Sequence, residues 1–265
     1  MFRHEFMLIR KNKKTKIIIS FLLLLVIADL ILAWYQNIGI QYPVKVTDPD
    51  NIIHPAFASF LSASTEGHIT QMLYLWLLPI HLLLIYCDLP VSERQSGYTS
   101  LLYTKLEKRN CLKIRLIFSF LFSFFIVFVT LVINYIGCIL IFWTGTDFRG
   151  GRLDDYPDHL VYTFSMKHPY SAYFLYIVMT AFIAGGCGMI CMGLSFVIKQ
   201  YKFLYLFGFL LWYLQITGPC SLTYVFQPFI EYDLNYMIPA FLIFFVFWWG
   251  ITLFGYYYRV KKDEI

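Results

Sequence analysis

Long apolar runs alternate along this chain with short segments crowded with charge. Runs near 17–34, 72–87, 115–143, 172–198, 203–216 and 237–257 hold few charged residues, and a helix of about 20 apolar residues crosses about 30 Å of hydrocarbon. The pattern predicts six transmembrane helices. The second and fifth are short, and the third is long enough to tilt or to emerge beyond the bilayer. Ahead of the first run, Phe2, Phe6 and Ile9 recur at i, i+4 and i+7, with Arg3, His4, Arg10 and Lys11 elsewhere around the turn. This spacing predicts an amphipathic helix over 1–14 lying in the membrane interface; the alternative is a basic leader that only sets orientation.

Between the first two runs, and again over 144–171, proline, glycine and polar residues predict loops too small for a separate domain, so 1–265 reads as a single membrane domain. Residues 199–202 join the fourth and fifth runs tightly. The segment 217–233 mixes Gly218, Pro219 and Pro228 with Leu222, Tyr224, Val225, Phe226 and Phe229. It reads either as broken helices dipping into the outer leaflet or as an interfacial loop.

Composition strengthens the membrane assignment: 59% of residues are hydrophobic and 14% charged, against about 25% charged in soluble domains. Of 21 Lys and Arg residues, 17 fall on the amino-terminal arm, the 88–115 connection, the 199–202 link and the tail. By the positive-inside rule these segments are cytoplasmic, as are both termini of a multi-pass protein of the cytoplasmic membrane. The opposite loops hold Lys45, Arg149, Arg152 and Lys167 against nine carboxylates: Asp48, Asp50, Glu66, Asp147, Asp154, Asp155, Asp158, Glu231 and Asp233. The net charge of +5 is thus a mark of topology and gives no support to nucleic acid as a partner. The first run is too long for a signal peptide, contains Asp29 and lacks a small-x-small cleavage site. The six cysteines show neither a disulfide framework nor metal-ligand spacing.

The densest charge lies between spans two and three, in residues 88–113. Ser92 and Gln95 form an S-x-x-Q capping box after Pro90, predicting a short helix from Glu93 that Gly97 breaks or bends. Tyr98, Leu101, Leu102 and Leu106 then give a second amphipathic pattern. Glu93-Arg94-Gln95-Ser96-Gly97-Tyr98-Thr99, set in this loop of a six-span chain with a basic interfacial start, resembles the permease subunits of type-two ABC exporters. Members carry Glu-Arg/Lys-x-x-Gly-Thr here, then a Leu-rich helix and a Pro-x-x-Arg segment. Leu106-Glu107-Lys108-Arg109 keeps the basic residue without the proline.

The resemblance implies an all-α integral membrane protein with six transmembrane helices, an amino-terminal interfacial helix and a cytoplasmic coupling helix between spans two and three. It implies coupling to ATPase subunits through Glu93, Arg94, Gly97 and Tyr98, and a second permease, either another copy of this chain or a different one. Membrane lipid is the remaining partner. No cofactor is expected on this chain: no G-x-x-x-x-G-K-[ST] occurs and none of its 15 glycines precedes Lys, so ATP and Mg belong to the partner. The aromatic content and acidic outer face point to amphipathic or cationic peptides as cargo. Drugs and lipid-linked glycans are alternatives, as is a component that binds substrate or confers immunity without transport.

Three polar residues fall inside spans. Asp29 lies about 18 Å along the first, where a carboxylate faces a bundle interior and has a partner. It either binds a cationic group or a proton, or pairs with Asn134 or a tyrosine to join helices. His81, in span two, and Asn134, in span three, are candidates for the pathway or for helix pairing. Small residues recur every four positions in span four, at Ala181/Gly185, Ala184/Gly188 and Cys187/Cys191/Ser195, which suits close helix packing or a sliding interface. An enzymatic reading finds little footing. Gly193-Leu194-Ser195-Phe196 resembles the rhomboid nucleophile motif but lacks its second glycine, and span six offers no His as a base.

Overall fold

Each of the six apolar runs is helical in the computed structural model, which describes residues 2–39, 52–62, 68–148, 151–152 and 155–262. Helix α1 (Phe2–Lys11) ends at Asn12, whose side-chain oxygen accepts from Lys14 N at 3.0 Å and starts α2 (Lys13–Trp34). The second run is two pieces, α3 (His68–Leu75) and α4 (Leu78–Leu82), the latter extended by a wide turn over Leu83–Cys87. Next come α5 (Leu89–Gln95), α6 (Tyr98–Lys105), α7 (Lys108–Ile141), α8 (Leu160–Lys167), α9 (Pro169–Val197), α10 (Tyr201–Thr217), α11 (Thr223–Phe226) and α12 (Leu234–Lys261). Among the described residues the sole β feature is one bridge, Ile53 to Asp147.

Four of these helices are long and apolar enough to cross a membrane: α2 with its extension to Asn37, α7, α9 and α12. The α3/α4 pair would make a fifth span bent by 53°. Pro79, at the start of α4, lacks the N–H that would continue the helix and so breaks the run there. Helix α10, at 17 residues, is about 26 Å long.

Helix α9 is the hub, with 67% of its most apolar stretch buried against 28% for α2 and α12. It packs along α7 and α12 and touches α4, α5, α8, α10 and α11. Its small residues bring the backbones together. A Cβ on Gly188 would overlap Ser123 of α7, and one on Gly255 of α12 would overlap the Gly193 carbonyl. The outward faces of α2, α7 and α12 stay apolar, as at Leu24, Ile31, Phe125, Leu140, Val246 and Phe254, all exposed. Lipid would cover such faces, because helices crossing hydrocarbon have no reason to hide apolar side chains from it.

The first interhelical loop departs most from the sequence reading. Of that loop, 52–62 and 68–71 are described, while Lys45, Asp48, Asp50 and Glu66 of the acidic-side tally lie outside the described residues, as do Arg149 and Asp154. Far from decorating the surface, 52–62 sinks into the bundle: Ala56, Ala58, Ser59, Phe60 and Leu61 are fully buried. Its amides find partners there. Phe60 N donates to Asn134 Oδ1 and Leu61 N to the Tyr173 hydroxyl, both at 3.0 Å, and Gln71 Nε2 donates to Leu61 O at 3.3 Å. Irregular backbone is tolerated at such depth only when protein satisfies it this way. His54 Nδ1 accepts from Ala56 N, and burial lowers its pKa to about 4, so the ring is neutral.

Candidate functional site at the basic end of the bundle

Within 88–115, α5 and α6 form a helical hairpin, and residues 108–115 already belong to α7. Helix α5 begins at Leu89, four residues before the start that the Ser92–Gln95 pattern predicts, because Pro90 occupies the first turn, where its missing N–H has no partner to lose. Ser92 therefore lies within the helix, and the capping box is not formed. Gly97 turns the chain with φ +73, a left-handed conformation that suits glycine, and α6 follows at Tyr98.

Glu93 points inward. Its carboxylate takes a two-pronged ion pair from Arg115 of α7, with Nη2 to Oε1 at 2.7 Å and Nη1 to Oε2 at 2.6 Å. The same guanidinium reaches Glu5 of α1, Nε to Oε1 at 3.2 Å, and the Tyr86 hydroxyl donates to Glu5 Oε2 at 2.9 Å. Arg115 is 2% exposed, Glu5 0% and Glu93 5%, so the cluster is shut away from water. The planar fork of arginine is what allows one cation to hold two carboxylates. Arg259, buried at the end of α12, approaches through Tyr103 of α6.

The buried Glu5 alters the picture of the amino-terminal helix. Of the apolar face expected from Phe2, Phe6 and Ile9, only Ile9 is buried, and Phe2 and Phe6 are 43% and 55% exposed. Glu5 turns inward to meet Arg115, and Phe2 and Phe6 stay exposed on the face that the sequence assigns to the membrane interface.

Arg94 closes the end of α9. Its guanidinium donates to the carbonyls of Ser195, Phe196 (3.0 Å) and Ile198 (2.6 Å), oxygens that the helix terminus leaves without amide partners. Asp88 ties in two more elements, accepting from Lys14 Nζ of α2 at 2.6 Å and from the Tyr205 hydroxyl of α10 at 2.8 Å. Glu93, Arg94 and Asp88 thus fasten the hairpin to α1, α2, α7, α9 and α10. Its other side is free: Ser92, Gln95, Ser96, Gly97, Tyr98 and Leu101 are exposed, Leu101 to 64%.

Asp29, Asn134 and His81 lie elsewhere, within the bundle. Asn134 Nδ2 donates to Asp29 Oδ2 at 3.2 Å and to Val26 O at 3.3 Å, and Thr70 donates to Asp29 Oδ1 at 2.9 Å. His81 Nε2 sits 3.0 Å from Leu73 O, a carbonyl beside the α3/α4 break. Ser195 Oγ donates to Met192 O at 2.7 Å and is fully buried.

Sequence reasoning misses Glu5, Tyr86, Asp88, Tyr205 and Arg259 in these networks, and counts Arg115 only as a loop charge. One signal was available: Glu5 alone in a basic arm, with a single arginine at the start of a long apolar run, marks two charges in need of partners.

An all-helical protein whose helices include four fit to cross a membrane, with a charged hairpin clamped at one end, is the class that fold and site define. The chain belongs to the same family as YybM of Bacillus subtilis (strain 168), a protein described as uncharacterized; the two are 33% identical over 230 residues, 86% of each chain. No family model matches the chain, and no solved structure matches it.

Proposed function

We propose that this chain is the membrane-spanning permease of an ATP-driven exporter, working as a pair of permease subunits with separate ABC ATPases, and that it moves amphipathic peptides outward across the cytoplasmic membrane. In this reading α3/α4 and α10 complete a set of six spans, both termini are cytoplasmic, and hydrolysis of Mg-bound ATP takes place on the partner. The chain itself is non-catalytic.

The observation that carries the reading is the α5–α6 hairpin: one side is fastened by the buried Glu93–Arg115 pair, the Lys14–Asp88 pair and helix-end contacts to α2, α7, α9 and α10, with α1 joined through Arg115, and the other side is exposed. A lever needs both properties. Force applied at the exposed side reaches α7 through Glu93–Arg115, α9 through Arg94, and α2 and α10 through Asp88. The roles within the motif divide accordingly: Glu93 and Arg94 transmit, Gly97 sets the turn, and Tyr98 with Leu101 meets the ATPase.

Co-expression with candidate ABC ATPases from the same genome tests this. Wild-type protein should copurify with the ATPase, and Leu101→Asp, at an exposed position that leaves folding intact, should reduce the bound ATPase about tenfold, since burying an unpaired carboxylate in an interface is strongly unfavourable. Unchanged recruitment by Leu101→Asp would remove the hairpin from the contact.

A further inference from the structure

The two discontinuities of the fold meet at one cavity. The broken α3/α4 run and the short α11, between α10 and α12, border a half-open pocket of about 240 Å³ lined by Gln71, Leu75, Trp76, Thr223, Phe226 and Gln227 among others. Broken helices leave carbonyls without their usual amide partners. Here the protein spends side chains on them: the Trp212 indole donates to Leu75 O at 2.8 Å, and His81 takes Leu73 O. The break is therefore built into the fold, held open from two sides, and it borders the cavity at Leu75 and Trp76. Discontinuous membrane helices recur where a solute must be held at depth, because they bring polar backbone and amide groups to an otherwise apolar interior.

The lining specifies a chemistry. It combines two carboxamides, one hydroxyl, an indole and apolar side chains, and among the described residues it contains no charged group. The buried carboxylate of Asp29 is not part of this lining and is engaged by Thr70 and Asn134. An ion settling here would give up part of its hydration to a lining without a charged group, whereas an uncharged amide could exchange hydrogen bonds with water for bonds to Gln227, the Gln71 oxygen and Thr223 while its apolar part lies against Trp76 and Phe226. We propose that this cavity is a binding site for an uncharged, amide-bearing solute with an aromatic or aliphatic side group. The site belongs to this chain and does not depend on an ATPase partner or on transport.

A charge series on one phenylalanine framework tests it. At mildly acidic pH, N-acetyl-phenylalaninamide is neutral, N-acetyl-phenylalanine is an anion and phenylalaninamide, which lacks the acetyl group, is a cation. Saturation-transfer NMR on the full-length chain in lipid nanodiscs, with empty nanodiscs as the blank, should show saturable binding of the neutral probe and at least about tenfold weaker binding of both ions. Gln227 and Thr223 are only partly buried, so Gln227→Leu and Thr223→Val can each be made without emptying the core, and each should weaken the neutral probe several-fold. Absence of saturable binding, equal binding of the three probes, or unchanged affinity in whichever of the two variants remains folded would each overturn the proposal.

Discussion

Replacing Arg115 with methionine is expected to destabilise the protein by about 3–5 kcal/mol, the largest effect of any single substitution outside the glycine contacts, because it leaves two carboxylates buried without a cation. Glu5 is fully buried and Glu93 nearly so, and both rely on this guanidinium. Arg115→Lys should recover only part of the loss, since an ammonium cannot match the two-oxygen contact to Glu93 and reach Glu5 together. Combining Arg115→Met with Glu5→Gln and Glu93→Gln should recover more, because the neutral trio buries no charge. Thermal unfolding of wild type and the three purified variants, followed by the loss of monodisperse protein, ranks the four. A single Arg115→Met variant as stable as wild type would show that the cluster does not hold the hairpin, α1 and α7 together.

Asn134→Leu should have the second largest effect, about 2–4 kcal/mol, as it strands groups on two elements at once. Asp29 loses a donor at 3.2 Å and the buried Phe60 amide loses its acceptor at 3.0 Å. Adding Asp29→Asn should restore part of the stability by removing the charge while leaving the Phe60 amide unmatched. Hydrogen exchange separates the two losses: protection over 52–62 should fall in both variants, while the middle of α9 should keep its protection. Uniform loosening of all helices would contradict the local role assigned to Asn134.

The six apolar runs are legible as helices because each is a long local stretch of one character, which is also what a helix fit to cross a membrane demands, as four of these are. The need of Asp29 for a partner such as Asn134 is legible for a related reason, since an isolated carboxylate in such a run cannot be left alone. The inserted 52–62 segment is not legible. Its burial depends on Asn134 and Tyr173, which lie 74 and 112 residues further along and leave no local period. Glu5 and Arg115 escape for the same reason, being 110 residues apart. The start of α5 is a local misreading: the S-x-x-Q pattern and Pro90 compete to open one helix, and proline, already holding a helical φ, wins.

The hairpin gains most from these contacts. The sequence reading groups Glu93, Arg94, Gly97 and Tyr98 as coupling residues; in the fold Glu93 and Arg94 are engaged within the protein, while Gly97, Tyr98 and the neighbouring Leu101 are exposed.

Vectorial movement is the most direct measurement. The chain and the ABC ATPase that the proposed function requires, reconstituted into vesicles with the hairpin facing outward, should accumulate a fluorescent amphipathic peptide in the lumen when ATP and Mg are added outside, and Leu101→Asp should abolish accumulation. Retention of the peptide in the membrane to the same extent with and without ATP would contradict an exporter and leave a protein that binds its ligand without moving it.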